Sequence, residues 1–417
     1  MNIKKILYTG GIVNILEWYD YSLFLTLITT LGEKFFPPSD ARAVLLSGFL
    51  VFAIGYIARP LGGVFWGIVG DKRGRKKALR LSLLCMALPT TLMGVAPTYQ
   101  SIGIAATMIM IIARILQGLA MGGALTSSIS FIIEHTPHKY RGLVGSIPMC
   151  GICIGILLGS FTVFAIKSIL TMEQFDAFGW RIPFLLGIVV LFVSSYIKTS
   201  TTETPVFQNI IKQNTIDSAP FKHILQHYKK DVLTGIFINA TGSVMFYFAI
   251  VNLPQLLKIN GSIAALDVDT IINHCYILMI FVIIICGHLS TIVGRRNYYI
   301  GLLILIIILM PYILYNLEIG INLVLSTSLT AALAAAYIAP EPVFMTELYP
   351  ARVRNTAMAL SYGIGTAVFG GATPYIIGTL LEQSNGHIFP NLIWYINGIA
   401  FCGLITIIQY KEKAQIS

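Results

Sequence analysis

The sequence predicts an all-α polytopic membrane protein, with twelve transmembrane helices in two six-helix bundles. Three observations carry that prediction: a shortage of charge, apolar runs of membrane-spanning length along the whole chain, and basic residues gathered on alternate loops. Of 417 residues, 56% are apolar and only 11% charged, against about 25% charged in an ordinary globular domain. So few charges cannot cover the surface that two or three soluble domains would expose to water. Crossing a hydrocarbon layer takes about 20 residues as a helix. Lipid offers no partner to a free backbone amide, so the spans are helices unless the chain closes a barrel. Barrel strands alternate apolar and polar residues, and runs such as Gly301 to Met310 do not.

In chain order, spans are expected at 6–29, 44–69, 79–96, 102–133, 143–166, 181–198, 232–257, 270–293, 298–316, 320–347, 356–381 and 390–410. The first follows a charged start, Lys4 and Lys5, of the kind that opens a signal peptide. Glu17 and Asp20 interrupt its apolar stretch and no small-residue cleavage site follows, so it is read as an uncleaved first helix. The longest polar stretch, about 198–231, falls between spans six and seven. It divides the chain into an N-terminal bundle (1–197), a cytoplasmic linker (198–231) and a C-terminal bundle (232–417). In the tenth span Glu341 sits between Pro340 and Pro342. Each proline removes a backbone donor and frees a carbonyl, which gives either a broken helix facing a cavity or a plain kink near the cytoplasmic end.

The net charge of +10 invites a nucleic-acid reading, but its distribution answers to a membrane. With the N-terminus inside, cytoplasmic segments hold Lys4, Lys5, the run from Lys72 to Arg80, Lys139, Arg141, Lys198, Lys212, Lys222, Lys229, Lys230, Arg295, Arg296, Arg352, Arg354, Lys411 and Lys413. The outer segments keep only Lys34, Arg42, Lys167 and Lys258. This bias sets both termini in the cytoplasm. All six cysteines lie in or beside spans and give no disulfide framework; Cys150 and Cys153 form a C-x-x-C inside a helix.

The two halves echo each other. Phe131, Glu134, Pro137 and Arg141 recur as Phe344, Glu347, Pro350 and Arg354 at a constant offset of 213, and Gly74-Arg75-Lys76 recurs as Gly294-Arg295-Arg296. Two parallel repeats imply halves that rock around a central site. The segment from Gly67 through Asp71, Gly74 and Arg75 to Lys77 joins spans two and three. Its glycines allow close helix approach, and Asp71 can pair with a basic residue or a helix end. The plainer alternative is an ordinary basic loop.

This segment resembles the loop 2–3 signature of the major facilitator superfamily. Asn14-Ile-Leu-Glu17-Trp18-Tyr19-Asp20-Tyr21 resembles the first-helix motif of its metabolite:proton symporter family, which includes proline/betaine, α-ketoglutarate, citrate and shikimate transporters. Gly55-Tyr-Ile-Ala-Arg59-Pro60-Leu-Gly62-Gly63 is similar to that family's second helix. Arg114-Ile-Leu-Gln117-Gly118 with Gly122-Gly123 is similar to its fourth. Trp180-Arg181-Ile-Pro183-Phe184 and Glu203-Thr204-Pro205-Val-Phe207 look like the stretch around its sixth, and Gly370-Gly371-Ala-Thr373-Pro374 like its eleventh. The resemblance covers nearly the whole chain and implies the major facilitator fold with proton-coupled uptake of a small polar metabolite.

Three departures qualify it. Ala124 stands where family members often carry Glu, so any role of that carboxylate is absent or moved. Thr291 or Ser290 stands where the second copy of the loop signature calls for Asp, which predicts a weaker second latch. The chain stops at Ser417, without the coiled-coil tail of the osmosensing members.

Ionisable groups in hydrocarbon are costly and mark functional sites by default. Glu17 and Asp20 are three apart on one helix face, and residue counts put Glu17, Arg59 and Arg114 near the midplane. Glu17 or Asp20 is expected to carry the coupling proton with Arg114 tuning it, while Arg59 suits a substrate carboxylate. Alternatively, the four neutralise one another and hold helices together. Asn14, Trp18, Tyr21, Gln117, Asn239, Tyr247 and Glu341 are the further substrate-binding candidates, and Asn252 is a further candidate to hydrogen-bond substrate from the seventh span. Gly67, Asp71, Arg75, Glu134, Arg141, Glu347 and Arg354 are the candidates for a conformational latch. His135, His138, His223 and His227 show no metal spacing, His288 could relay protons, and no P-loop points to ATP. No cofactor, metal, nucleic acid or enzymatic activity is expected. The partners are a small solute, protons and the lipid bilayer, and the chain is expected to work as a monomer. A proton-independent exchanger and a non-transporting membrane receptor are the competing readings.

Overall fold

The computed structural model describes residues 3–37, 41–260, 265–383 and 389–410, and among these the regular structure is entirely helical. The principal helices are α1 (Ile3–Thr26), α2 (Ala41–Arg73), α3 (Arg75–Val95), α4 (Ile104–Glu134), α5 (Ile147–Ile169), α6 (Ile188–Ser200), α7 (Lys229–Tyr247), α8 (Ala265–Val293), α9 (Arg295–Ile319), α10 (Leu323–Ile338), α11 (Arg354–Ile364) and α12 (Phe389–Gln409). They follow the twelve expected spans in order. At 1.5 Å per residue, the 33 residues of α2 run to about 50 Å, well past the roughly 30 Å of a hydrocarbon core.

Ten helices among the described residues are long and apolar enough to cross a membrane. The first and eleventh expected spans fall outside that set for physical reasons. Asn14, Glu17 and Asp20 hold down the hydropathy of α1. The eleventh span is interrupted: α11 passes into a π-helical turn, Gly365–Gly370, before the chain resumes as Thr373–Gln383. A second π turn, Phe248–Asn252, follows α7.

Sharp breaks separate α2 from α3 and α8 from α9, and both lie at the repeated Gly-Arg pair. Gly74 has φ +105° and Gly294 has φ +86°, a region that costs a side-chain-bearing residue dearly. The echo in the sequence is therefore an echo in the backbone. Likewise, Glu134 is the last residue of α4 and Arg141 opens the short helix Arg141–Gly145. In the second copy, Glu347 lies at the end of Glu341–Leu348 and Arg354 opens α11.

The chain forms two compact units. One comprises Met1–His135, Gly151–Phe221 and Ala351–Ala359; the other comprises Thr136–Cys150, Lys222–Pro350 and Leu360–Ser417. Each unit thus takes a short strip from the opposite half of the sequence. The first unit carries an apolar core in which Leu23, Phe24, Phe35, Met110, Trp180 and Phe184 are buried together, with the Phe35 ring edge-on to Trp180 at 5.7 Å. All six cysteines are free.

Candidate functional site

Small residues bring α2 and α4 close enough for their charged side chains to share one region. A Cβ added at Gly118 would lie 1.9 Å from the Gly55 carbonyl oxygen, and one at Gly122 would lie 2.1 Å from that of Arg59. Only glycine permits this approach, the usual way for helices to pack where lipid gives no hydrophobic drive. It sets Arg59 of α2 opposite Glu17 of α1. Arg59 Nη2 donates to Glu17 Oε1 at 3.3 Å, and the Glu17 carboxylate is fully buried. The Arg59 guanidinium also lies 5.9 Å from the Trp18 ring and 5.0 Å from Tyr56. Tyr21 packs on Trp18 at 4.9 Å, so aromatic faces line this pair.

Asp20 is held differently. Its Oδ1 accepts from Thr90 Oγ1 at 2.9 Å and its Oδ2 from Gln117 Nε2 at 2.8 Å, while Gln117 Oε1 accepts from Arg114 Nη1 at 2.9 Å. The structure puts the Gln117 amide between Asp20 and Arg114. Arg114 also stacks 3.9 Å from the Phe24 ring centre. Asn14 donates to the Gly10 carbonyl at 2.7 Å and to Ser128 Oγ at 2.9 Å, which fastens α1 to α4. Ala124 is buried in α4, with an apolar methyl group where relatives were expected to carry a carboxylate.

In the second unit, α10 ends at Ile338 and a new helix begins at Glu341, with Pro340 as its cap residue and Pro342 in its first turn. Both prolines therefore sit where their missing donors cost little. Asn239 Nδ2 of α7 donates to Glu341 Oε1 at 2.7 Å. Thr366 Oγ1 and Ser243 Oγ donate to Asn239 Oδ1 at 2.9 and 3.4 Å. Tyr247 and Asn252 are buried along the same helix and its π turn.

The charged end of the first unit forms a third cluster. Asp71 Oδ1 accepts from the Asn355 backbone N–H at 3.1 Å, and Oδ2 accepts from the Thr356 N–H at 2.9 Å and its hydroxyl at 2.7 Å. A carboxylate on free N–H groups in the first turn of α11 acts as a cap supplied from a distant part of the chain. Gly67 makes room for it, since a Cβ there would lie 2.7 Å from the Thr356 Cα. Arg75 lies 3.6 Å from Asp71, donates to the Gly70 carbonyl at 3.0 Å and to the Ala351 carbonyl, and pairs with Glu134 at 3.3 Å. Glu134 also accepts from Arg354 Nη1 at 2.8 Å and from Thr204 Oγ1 at 2.6 Å. Glu203 accepts from the N–H groups of Lys76 and Thr204. Burial pushes its carboxyl above the usual range, and those N–H groups and Arg75 offset this in part.

The second unit repeats the pattern without its acid. Glu347 pairs with Arg295 at 2.9 Å, as Glu134 does with Arg75. Thr291 holds the place of Asp71 and lies against Gly142, where an added Cβ would be 2.0 Å from its Oγ1. Thr291 Oγ1 has no hydrogen-bond partner among the described residues. Arg141 donates to the Thr136 carbonyl at 3.2 Å.

Sequence reasoning missed Thr90, Ser243, Thr366 and Thr356. They are single hydroxyls in apolar or mixed runs, and nothing local separates a hydroxyl bonded to its own helix from one bonded across to an acid. Thr204 carried a readable signal, because Thr before Pro is a helix cap followed by a first-turn proline.

Buried acid–guanidinium systems in an apolar helical bundle, with a Glu–Arg pair repeated at helix ends, mark a multi-pass membrane carrier. The profile of the sugar (and other) transporter family matches residues 6–222, and the chain belongs to that family, within the major facilitator superfamily. It is 30% identical over 423 residues to the proline/betaine transporter of Escherichia coli (strain K12), covering 99% of this chain and 84% of the relative. It is 29% identical over 423 residues to the glycine betaine/proline/ectoine/pipecolic acid transporter OusA of Dickeya dadantii (strain 3937), with the same coverage. Among solved structures, a double-tryptophan mutant of XylE superimposes with a TM-score of 0.80 at 16% identity, covering 97% of this chain and 94% of that one. The proton:xylose symporter XylE bound to 6-bromo-6-deoxy-D-glucose gives a TM-score of 0.76 at 17% identity, with the same coverage. These structures share the major facilitator fold with this chain.

Proposed function

We propose that the chain is a secondary active transporter that takes up a small polar metabolite, such as an amino acid, a betaine or an organic acid, by proton-coupled symport through alternating access. The observation that carries this reading is the pairing of two fully buried acids with two guanidinium systems in one unit, Glu17 with Arg59 and Asp20 with Arg114 through Gln117. A carboxylate held by a movable guanidinium or amide exchanges that partner for a proton when the site reorganises. Glu17 or Asp20 carries the proton, with Arg114 tuning Asp20 through the amide. Arg59, already over the Trp18 and Tyr56 rings, offers its fork to a substrate carboxylate. Asn14, Gln117, Asn239, Tyr247 and Glu341 complete the substrate-binding set. The names of the relatives, proline and betaine transporters, support a zwitterion or small acid. The basic loops support a bacterial inner-membrane location with both termini cytoplasmic.

Uptake into proteoliposomes tests the reading, with the solute chosen by a thermal-shift screen of amino acids, betaines and carboxylic acids. Glu17→Gln or Asp20→Asn abolishes accumulation driven by a proton gradient and leaves exchange of labelled for unlabelled solute in place. Full accumulation in both variants, or wild-type uptake that ignores collapse of the gradient, rejects proton coupling in favour of a facilitator or exchanger.

A further inference from the structure

The second unit buries one carboxylate that the proposed coupling pair leaves out of account. Glu341 is 2% exposed and opens the helix Glu341–Leu348 immediately after Pro340. The groups that face it come from four helices. The Asn239 amide of α7 donates to Oε1 at 2.7 Å, and its orientation is fixed because Thr366 and Ser243 donate to its carbonyl oxygen. Oε2 and the Tyr337 ring of α10 both lie against Gly242, at 3.1 and 3.2 Å from an added Cβ. The Tyr299 ring of α9 packs on Tyr337 at 5.1 Å, and the Tyr362 hydroxyl of α11 faces the carboxyl.

All of these partners are neutral at ordinary pH. Among the described residues no Lys, Arg or His side chain acts on Glu341, whereas Glu17 has Arg59 and Asp20 has Arg114 through Gln117. An ionised carboxylate so placed has the Asn239 amide, the Tyr362 hydroxyl and a helix start to offset its loss of water, and no counter-charge. The partner set suits a carboxylic acid at least as well: Oε1 keeps the Asn239 bond, and a proton on Oε2 turns that oxygen into a donor among neutral neighbours.

We propose that Glu341 is a second proton-binding site, at which the second unit takes one proton from solution and returns it, in addition to the proton carried by Glu17 or Asp20. No other bond is made or broken; the O–H on Oε2 forms on uptake and is lost on release. The protonation stands on the local geometry, and only its use in a transport cycle rests on the transport reading above.

Infrared difference spectroscopy of the purified full-length chain in detergent, scanned against pH, reads a buried protonated carboxyl through its C=O stretch. A band that titrates with pH is expected in the wild type. It is lost in Glu341→Gln, which keeps an acceptor oxygen for Asn239, and it survives in the double variant Glu17→Gln with Asp20→Asn. Asn239→Ala, which removes the bond to Oε1, shifts its frequency and its titration midpoint. A wild-type signal unchanged in Glu341→Gln overturns the proposal. So does a Glu341 band that stays constant at every pH at which the protein remains folded, because an acid that never releases its proton is a packing group. If the Gln variant melts before it can be measured, Glu341→Asp, which retains the carboxyl, must move the band and its midpoint, and an unmoved band overturns the proposal equally. Proton-independent uptake would defeat the proton-coupling reading while leaving this spectrum as it is.

Discussion

Asp71 is the acceptor for the second and third backbone donors of α11 and for the Thr356 hydroxyl. Asp71→Ala leaves those N–H groups buried without an acceptor, and Arg75 loses the carboxylate 3.6 Å away. Each orphaned buried donor costs about 1–3 kcal/mol, and loss of an N-cap alone costs typically ~1 kcal/mol. Against this, the variant no longer desolvates the Asp71 carboxylate itself, which recovers part of the loss. The net effect is about 2–3 kcal/mol on the local opening of the 351–359 strip, or roughly 30- to 150-fold in its opening equilibrium at 1.4 kcal/mol per decade. Asp71→Asn keeps one acceptor oxygen and should lose about half of that, near tenfold. Hydrogen–deuterium exchange read by mass spectrometry reports the opening directly, as faster exchange in peptides covering Asn355 and Thr356. Thr291→Ala, at the matching place in the second unit, should leave exchange around Arg141–Gly145 unchanged, since Thr291 Oγ1 makes no hydrogen bond among the described residues. Exchange near Thr356 that stays within twofold of wild type in Asp71→Ala, or that rises equally in every peptide, would refute the capping role.

Two further outcomes follow from the packing and the charges. Gly122→Ala should lower the melting temperature by the equivalent of about 3 kcal/mol, because its Cβ meets the Arg59 backbone at 2.1 Å, whereas Gly398→Ala, with nothing within 4 Å, should match or exceed wild type. Burial raises the Glu203 pKa, so the folded state holds that proton more tightly than the unfolded chain. The Glu203 contribution is therefore intact below the ordinary carboxylate pKa and lost as pH rises through the raised value. In a thermal-melt series, the Glu203→Gln melting temperature relative to wild type should climb across that window and be flat on either side of it.

Much of the architecture was legible because hydropathy reports the solvent a segment needs, and lipid is an extreme solvent. The order of the twelve helices, the acids of the first and the breaks at Gly74 and Gly294 could all be read from composition and local residue type. The π turn at Gly365–Gly370 could not, since its glycines are equally at home in a tightly packed regular helix. Side-chain partners were legible only in kind. A buried Asp71 beside basic residues announces that it wants donors, but the donors lie more than 280 positions away, and no local pattern selects Asn355 and Thr356. Asp20 and Arg114 were matched by charge and depth, yet Gln117 stands between them, because an amide bridges an acid and a guanidinium without betraying itself in hydropathy. Glu341 between two prolines announced an irregularity, whereas its neutral surroundings emerge only from four helices brought together.

The strip Ala351–Ala359, which completes the first unit, also sets a schedule for biosynthesis. The partners of Asp71 are 284 and 285 residues downstream, and at roughly 5–20 residues per second of synthesis they emerge about 15 to 60 seconds after it does. Throughout that interval the first six helices can insert and pack, but the carboxylate at the end of α2 must be hydrated or held by something other than its final partners. The early bundle is thus finished only when nearly the whole chain has left the ribosome, so a polypeptide interrupted before residue 351 carries an incomplete copy of the part that was made first.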